Sequence, residues 1–172
     1  MQRCAWVTKD EIYIAYHDEE WGKPISGDDA MFERMSLEGF QAGLSWLTIL
    51  KRREGFRSAF KGFKINDVAE FTNKDVERLL EDTGIIRHRG KIEAVIHNAK
   101  IAKDLEGGLE AFVRQFTPTT ARRGLTSSPE SLELSKALRK HGFKFVGPTT
   151  MHALMQAIGM VNDHDEACLF GK

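Results

Sequence analysis

The sequence predicts an all-α fold of about eight or nine helices, in one domain over residues 1–172. Three observations carry that expectation. Apolar residues recur three and four positions apart along most of the chain, capping residue types precede those runs, and glycine or proline closes them. No alternating apolar and polar pattern of strand length interrupts them.

Thr8 and Glu11 have the spacing of a capping box and open a short helix carrying Ile12, Tyr13, Tyr16 and His17, which Gly22 and Pro24 end. Ser26, Asp28 and Asp29 start a second helix that runs through Met31, Phe32 and Met35 to about Leu37. Ser45 caps a third, which continues through Lys51, Arg52 and Arg53 to about Phe60. Between these two helices the chain breaks at Gly43. A short helix is expected near Asp67 to Phe71, and Thr72 then precedes Asp75, Val76, Leu79 and Leu80 in a helix that stops at Gly84. The compact turn from Ile85 to Lys91 leads into an amphipathic helix through Ile92, Val95, Ile96, Ala99 and Ala102. After Gly107 and Gly108 another helix holds Leu109, Phe112, Val113 and Phe116. Pro118 through Pro129 reads as the longest loop, polar and mobile. Ser128 with Pro129 starts a helix that Gly142 stops, and Gly147 with Pro148 opens the last, with Met151, Leu154, Met155 and Ile158 on one face.

A chain of 172 residues buries an adequate core without disulfides, and 41% hydrophobic with 29% charged residues is ordinary for a globular protein. No apolar run reaches membrane-spanning length, and the opening Met-Gln-Arg-Cys-Ala-Trp has no secretory h-region, so a cytoplasmic protein without a membrane partner is expected. Formal net charge is zero, which leaves nucleic-acid binding to a local patch. The charges are uneven: Asp18, Glu19 and Glu20 lie near the start, and Arg87, His88, Arg89 and Lys91 in the middle.

The stretch Leu37 to Trp46, Leu-Glu-Gly-Phe-Gln-Ala-Gly-Leu-Ser-Trp, places one carboxylate, Glu38, among apolar and aromatic residues. A carboxylate drawn into such surroundings loses hydration and rises in pKa unless a ligand or donor partners it; otherwise it is an ordinary helix-end Glu facing water. All three tryptophans and both tyrosines, Trp6, Tyr13, Tyr16, Trp21 and Trp46, fall in the first 46 residues. They suit either a flat cationic ligand gripped by stacking or simple core packing.

His164 and Cys168 are four residues apart, the spacing that on a helical turn aims both at one ion. Cys4 and His17 supply two more ligand types near the other end, so the four make either a closed structural zinc site joining the termini or two unrelated thiols and two solvated histidines. The nucleobase deaminase signature is absent, which argues against catalytic zinc. Leu79 to Ala99 reads as helix, short basic turn, helix, an arrangement that offers backbone N–H groups and a helix N-terminus to phosphate. Lys91 at that second helix is read either as a phosphate contact or as a Schiff-base nucleophile.

Taken together, several motifs are similar to those of the 3-methyladenine DNA glycosylase I family. They are Arg3-Cys4-Ala5-Trp6, Tyr13-Ile14-Ala15-Tyr16-His17-Asp18, Glu20-Trp21-Gly22, Leu37-Glu38 to Ser45-Trp46, Gly84 to Ile92, Gly142 to Gly147, and Val161-Asn162-Asp163-His164. The resemblance covers nearly the whole chain and is weakest over Gly107 to Ser131. It implies a helix-hairpin-helix glycosylase fold, with the hairpin at 79–99, that hydrolyses the N-glycosidic bond of 3-methyladenine and of 3-methylguanine in alkylated double-stranded DNA. It also implies a structural Zn2+ on Cys4, His17, His164 and Cys168, joining segments 1–24 and 161–172. The implied base pocket comprises Trp6, Tyr13, Tyr16, Glu38 and Trp46, with Trp21 nearby and Glu38 in the catalytic role. Arg87, Arg89 and Lys91 are the expected DNA contacts, Gln41 and Leu44 the residues that fill the vacated stack, free 3-methyladenine the product, and a monomer the expected state.

The hairpin lacks the glycine-rich form and following catalytic Asp of the wider superfamily; only Asp104, Glu106 and Glu110 follow at comparable distance. The substrate accounts for that departure. N3-methylation makes the purine cationic, so it leaves as a neutral base without a proton donor. The alternatives are a bifunctional glycosylase/lyase using Lys91 and a zinc-stabilised DNA-binding module without catalysis.

Overall fold

The computed structural model describes residues 2–171, in which nine α-helices and one 3-10 turn occur and no strand. The first helix, α1, spans Glu11–Glu19. Its cap is Asp10, whose carboxylate accepts from Ile12 N at 3.2 Å; Thr8 instead accepts from Asp10 N at 3.3 Å, outside the helix. The Thr8–Glu11 capping box is therefore corrected to a cap by Asp10.

Helix α2 spans Asp28–Gln41, one turn longer than the sequence predicts. Gly39 costs an exposed helix about 1 kcal/mol, but Phe40 beyond it packs on Phe56 at 4.6 Å and lies fully in the core, which carries the helix through. It ends where Gly43 takes φ 80, with Leu44 N donating to Gln41 O at 2.7 Å. Helix α3, Trp46–Ala59, then starts on Ser45, whose hydroxyl accepts from Thr48 N at 3.2 Å.

A 3-10 turn at Lys61–Phe63 leads to α4 (Ile65–Ala69) and α5 (Asn73–Glu81), the latter opened by a reciprocal Thr72–Asp75 capping box. The turn 82–88 follows, with Gly84 so close to α3 that a Cβ on Gly55 would stand 2.3 Å from Gly84 O. Helix α6 spans Arg89–Lys103, α7 Leu109–Arg114, α8 Pro129–Lys140 and α9 Pro148–Ala157. The polar loop before α8 is tethered through Arg122 to Glu130 at 2.6 and 2.8 Å.

Helix α2 lies at the centre, packed against α3, α6, α7 and α9, while α4 lies along α6 and α8 along α9. Phe32, Phe40, Phe56, Phe60 and Phe63 are wholly buried around it, and losing one such ring costs about 3–5 kcal/mol. The N-terminal segment and residues 161–171 meet on one side, where Leu169 N donates to Gln2 O at 3.2 Å. Met1 and Lys172, the outermost residues of the two segments expected to be joined, lie outside the described residues. No helix among those described is long and apolar enough to cross a membrane.

Candidate active site and metal cluster

Because α2 runs on to Gln41, Glu38 sits on its last full turn and faces inward, 5% exposed. Its carboxyl makes no hydrogen bond to the protein among the described residues. Burial pushes its pKa up to about 8 against a weaker opposing pull from the Arg34 guanidinium, so at neutral pH the group is mostly protonated.

Glu38 opens into a cavity of about 310 Å³ walled by Tyr13 and Tyr16 of α1, Trp46 of α3, and Trp6 and Trp21 from the segments on either side of α1. That volume is at the lower end of small-ligand pockets and is adequate for a purine. Tyr16 and Trp46 form one aromatic pair with ring centroids at 5.5 Å; Trp6 contacts both Tyr13 and Trp21 at 5.0 Å. Burial raises the Tyr16 phenol above its usual range, with the Glu38 charge adding to it, so Tyr16 stays neutral. All five expected base-binding residues thus come together, and Trp21 joins them.

The sequence did not single out Ala153, Gln156, Asp163 and Asp165 as the far wall. Asp163 accepts from Gln156 Nε2 at 2.8 Å and from Gly124 N at 2.5 Å; Asp165 accepts from Ala5 N at 2.6 Å. Their one signal was position beside His164. With Glu38 they give the cavity three carboxyl groups and no lining cation, an environment that favours a flat ligand carrying positive charge.

Directly behind this aromatic wall lie Cys4, His17, His164 and Cys168, all buried, with their ligand atoms within 4.8 Å of one another. Cys4 Sγ and Cys168 Sγ stand 3.5 and 3.4 Å from His164 Nδ1, and Cys168 Sγ stands 3.5 Å from His17 Nε2. A tetrahedral ion with ordinary Zn–S and Zn–N bonds would separate sulfur from nitrogen by roughly 3.6 Å, so these donors fit such an ion. Asp18, held by Arg3, takes His17 Nδ1 at 2.8 Å and leaves Nε2 facing the cluster, the outer arrangement that metal-bound histidines use. Burial pushes the Cys4 thiol up to about 11, and a backbone N–H from Asp165 reaches its sulfur at 3.3 Å. The four residues can therefore hold a metal ion. The expected helical turn under His164 and Cys168 is corrected: residues 162–170 are not helical, and a turn closed by Cys168 N to Asp165 O at 2.8 Å sets their spacing.

The expected DNA contacts divide. Arg87 reaches solvent without an ion-pair partner among the described residues, whereas Arg89 pairs with Glu77 at 2.7 Å and Glu93 at 3.4 Å. Lys91 is corrected: it is 7% exposed and turned inward, and its ammonium donates to Phe40 O at 2.9 Å and Ala42 O at 2.6 Å. Those carbonyls are left open where α2 breaks at Gly43, and the lysine satisfies them instead of a phosphate. His88 caps α6 by accepting from Lys91 N at 3.0 Å, and the Arg89 and Gly90 N–H groups stay without acceptors at the helix start. Gln41 and Leu44 bracket the Gly43 turn, Leu44 exposed and Gln41 in the cavity wall.

A family model described as methyladenine glycosylase matches residues 6–171. The chain is 49% identical over 179 residues to DNA-3-methyladenine glycosylase 1 of Escherichia coli K12, covering 98% of this chain and 96% of that protein. It is 44% identical to DNA-3-methyladenine glycosylase of Haemophilus influenzae, with 96% of each covered. A solved structure of 3-methyladenine DNA glycosylase I from Staphylococcus aureus, which describes the structural basis of 3-methyladenine recognition, matches with a TM-score of 0.93 at 34% identity. That match covers 100% of this chain and 97% of that one.

Proposed function

The chain belongs to the methyladenine glycosylase family, and from that premise we infer that it is a DNA-3-methyladenine glycosylase, which excises 3-methyladenine from alkylated DNA. One observation in this chain carries the reading: a buried, unpartnered carboxyl, Glu38, set into an aromatic cavity of purine size that bears acidic groups and no cation. The nucleotide is turned out of the duplex into that cavity, where the rings stack on the base and offset the cost of unstacking, a few kcal/mol.

The bond from sugar C1′ to the purine breaks with its electron pair moving onto the base, which cancels the charge of N3-methylation. Water adds to C1′ and gives its proton to solvent, so no acid is required. Glu38 accepts from the exocyclic amino group, which identifies adenine. A cation in the cavity pulls its carboxyl below the value burial sets, and the resulting charge stabilises the oxocarbenium-like sugar. The protein acts on 3-methylguanine less well, since a carbonyl replaces that amino group.

Arg87 and the free N–H groups of Arg89 and Gly90 hold the phosphate backbone, and Leu44 enters the vacated stack. Cys4, His17, His164 and Cys168 hold a structural zinc, whose four protein ligands leave no position for substrate. The protein works as a cytoplasmic monomer. The test is incubation with methylated duplex DNA, in which free 3-methyladenine should appear while the abasic strand stays intact. Failure to release any base from that DNA would overturn the reading.

A lyase step through Lys91 has no support, since its amine is engaged by two carbonyls. Borohydride should trap no adduct on abasic DNA. Lys91→Met should leave Phe40 O and Ala42 O unpaired and cost about 1–3 kcal/mol in urea unfolding. An unchanged unfolding midpoint would show that the lysine does not hold the α2 terminus.

A further inference from the structure

The segment from Gly142 to Gly147 links α8 to α9 and lines no part of the Glu38 cavity. It is anchored from three sides. Phe143 and Val146 are buried in the core; the buried Asn98 of α6 donates to Lys144 O and accepts from Lys144 N, both at 2.9 Å; and His97 Nε2 lies 2.9 Å from Gly142 O. Held this way, Phe145 takes φ 57, in the left-handed region, where a bulky residue costs about 1–3 kcal/mol. Its ring is only partly buried, 41% exposed, and turns an apolar face to solvent.

Its surroundings indicate what the ring serves. The Phe145 ring meets His88, the cap of α6, edge-on at 6.3 Å, and its Cβ lies 3.4 Å from where a Gly39 Cβ would be. It therefore stands at the seam between the basic turn and the helix that carries Glu38. Lys144 beside it and Arg87 beside His88 are both exposed, with no ion-pair partner among the described residues. An exposed ring locked in a strained backbone and bordered by two uncommitted cations has the chemistry of a contact to duplex DNA. Cations hold flanking phosphates, and an apolar wedge pressed against a base step loosens its stacking.

We propose that Phe145 is a DNA wedge that packs against the duplex beside the extruded nucleotide, with Lys144 and Arg87 on the flanking phosphates. The proposal rests on the glycosylase reading and adds a contact to it. The wedge lowers the cost of extrusion and plays no part in holding the base once extruded.

Phe145→Gly in the full chain tests this, because glycine adopts φ 57 freely while removing the ring. Thermal stability should change little, since relief of φ 57 offsets the loss of a partly buried ring, and affinity for free 3-methyladenine should stay within about twofold. Affinity for duplex containing an abasic analogue and single-turnover excision should both fall roughly 10-fold, the scale of one lost base contact. Phe145→Trp should restore much of both. Unchanged duplex affinity in Phe145→Gly overturns the proposal, and so does a matching loss of free-base affinity or of stability, which would make the ring a packing element. The wild-type protein run alongside tests the underlying reading: if it releases no base, glycosylase action fails, and duplex affinity still decides for Phe145.

Discussion

Glu38→Gln is expected to lower single-turnover excision of 3-methyladenine by on the order of 10- to 100-fold while weakening binding of the free base only moderately. The amide keeps an acceptor oxygen for the exocyclic amino group but cannot supply negative charge as the sugar becomes cationic. The loss stays short of the 10²- to 10⁴-fold typical of an indispensable acid or base, because the methylated purine leaves readily on its own. The same variant should alter the pH dependence of folding. Burial holds the Glu38 carboxyl at about 8 against 4.5 in an unfolded chain. Below about 4.5 both states are protonated and the group costs nothing. As pH rises from there to about 8 the unfolded state ionises and the folded state does not, so stability falls across that window, with the full loss present above it. Urea unfolding at pH 5 and pH 8 should therefore show a larger drop for the wild type than for Glu38→Gln. Wild-type excision and base binding by both Glu38→Gln and Glu38→Ala would show that the carboxyl does not meet the base.

Stripping the metal should lower the thermal midpoint by about 10 °C, given a contribution of several kcal/mol in a protein of this size. Zinc-finger peptides, which have no other core, unfold without their ion; here the phenylalanines around α2 remain packed, and the damage is local. It falls on the cavity. His17 contacts Trp6 at 5.3 Å and His164 contacts Trp21 at 4.6 Å, so the imidazoles that would bind the ion also brace the wall that stacks the base. Affinity for free 3-methyladenine should drop with the midpoint, and added Zn2+ but not Mg2+ should restore both. Elemental analysis finding no stoichiometric metal in protein purified without chelator would sink the assignment.

Most helix starts were legible because their caps are local: Ser45, Thr72 and Ser128 each bond within three residues of themselves. Thr8 misled because Asp10, two residues on, offers a carboxylate to the same helix start. The end of α2 was hidden for a different reason. Gly39 looks like a stop, and only the ring of Phe56, far along the chain, shows why the helix continues. The base-pocket rings and the four metal-type ligands could be named, since both are unusual residue types in unusual concentration. Lys91 could not be placed, because a lysine beside arginines reads as a surface charge until the open carbonyls of a broken helix are seen beside it. Asp163 and Asp165 offered only their place beside His164 as a signal, being separated in sequence from the aromatic wall by more than a hundred positions.

That separation bears on when the protein becomes active during synthesis. Asp163, His164, Asp165 and Cys168 are translated after every other residue that lines or braces the cavity. Trp21 waits through most of elongation for His164, whose imidazole stands 4.6 Å from its ring. A nascent chain whose residues from 148 on are still inside the ribosome would thus lack α9 from its core as well as the far wall of its cavity. The cavity and the metal cluster are completed only once residues 163–168 can meet the N-terminal segment.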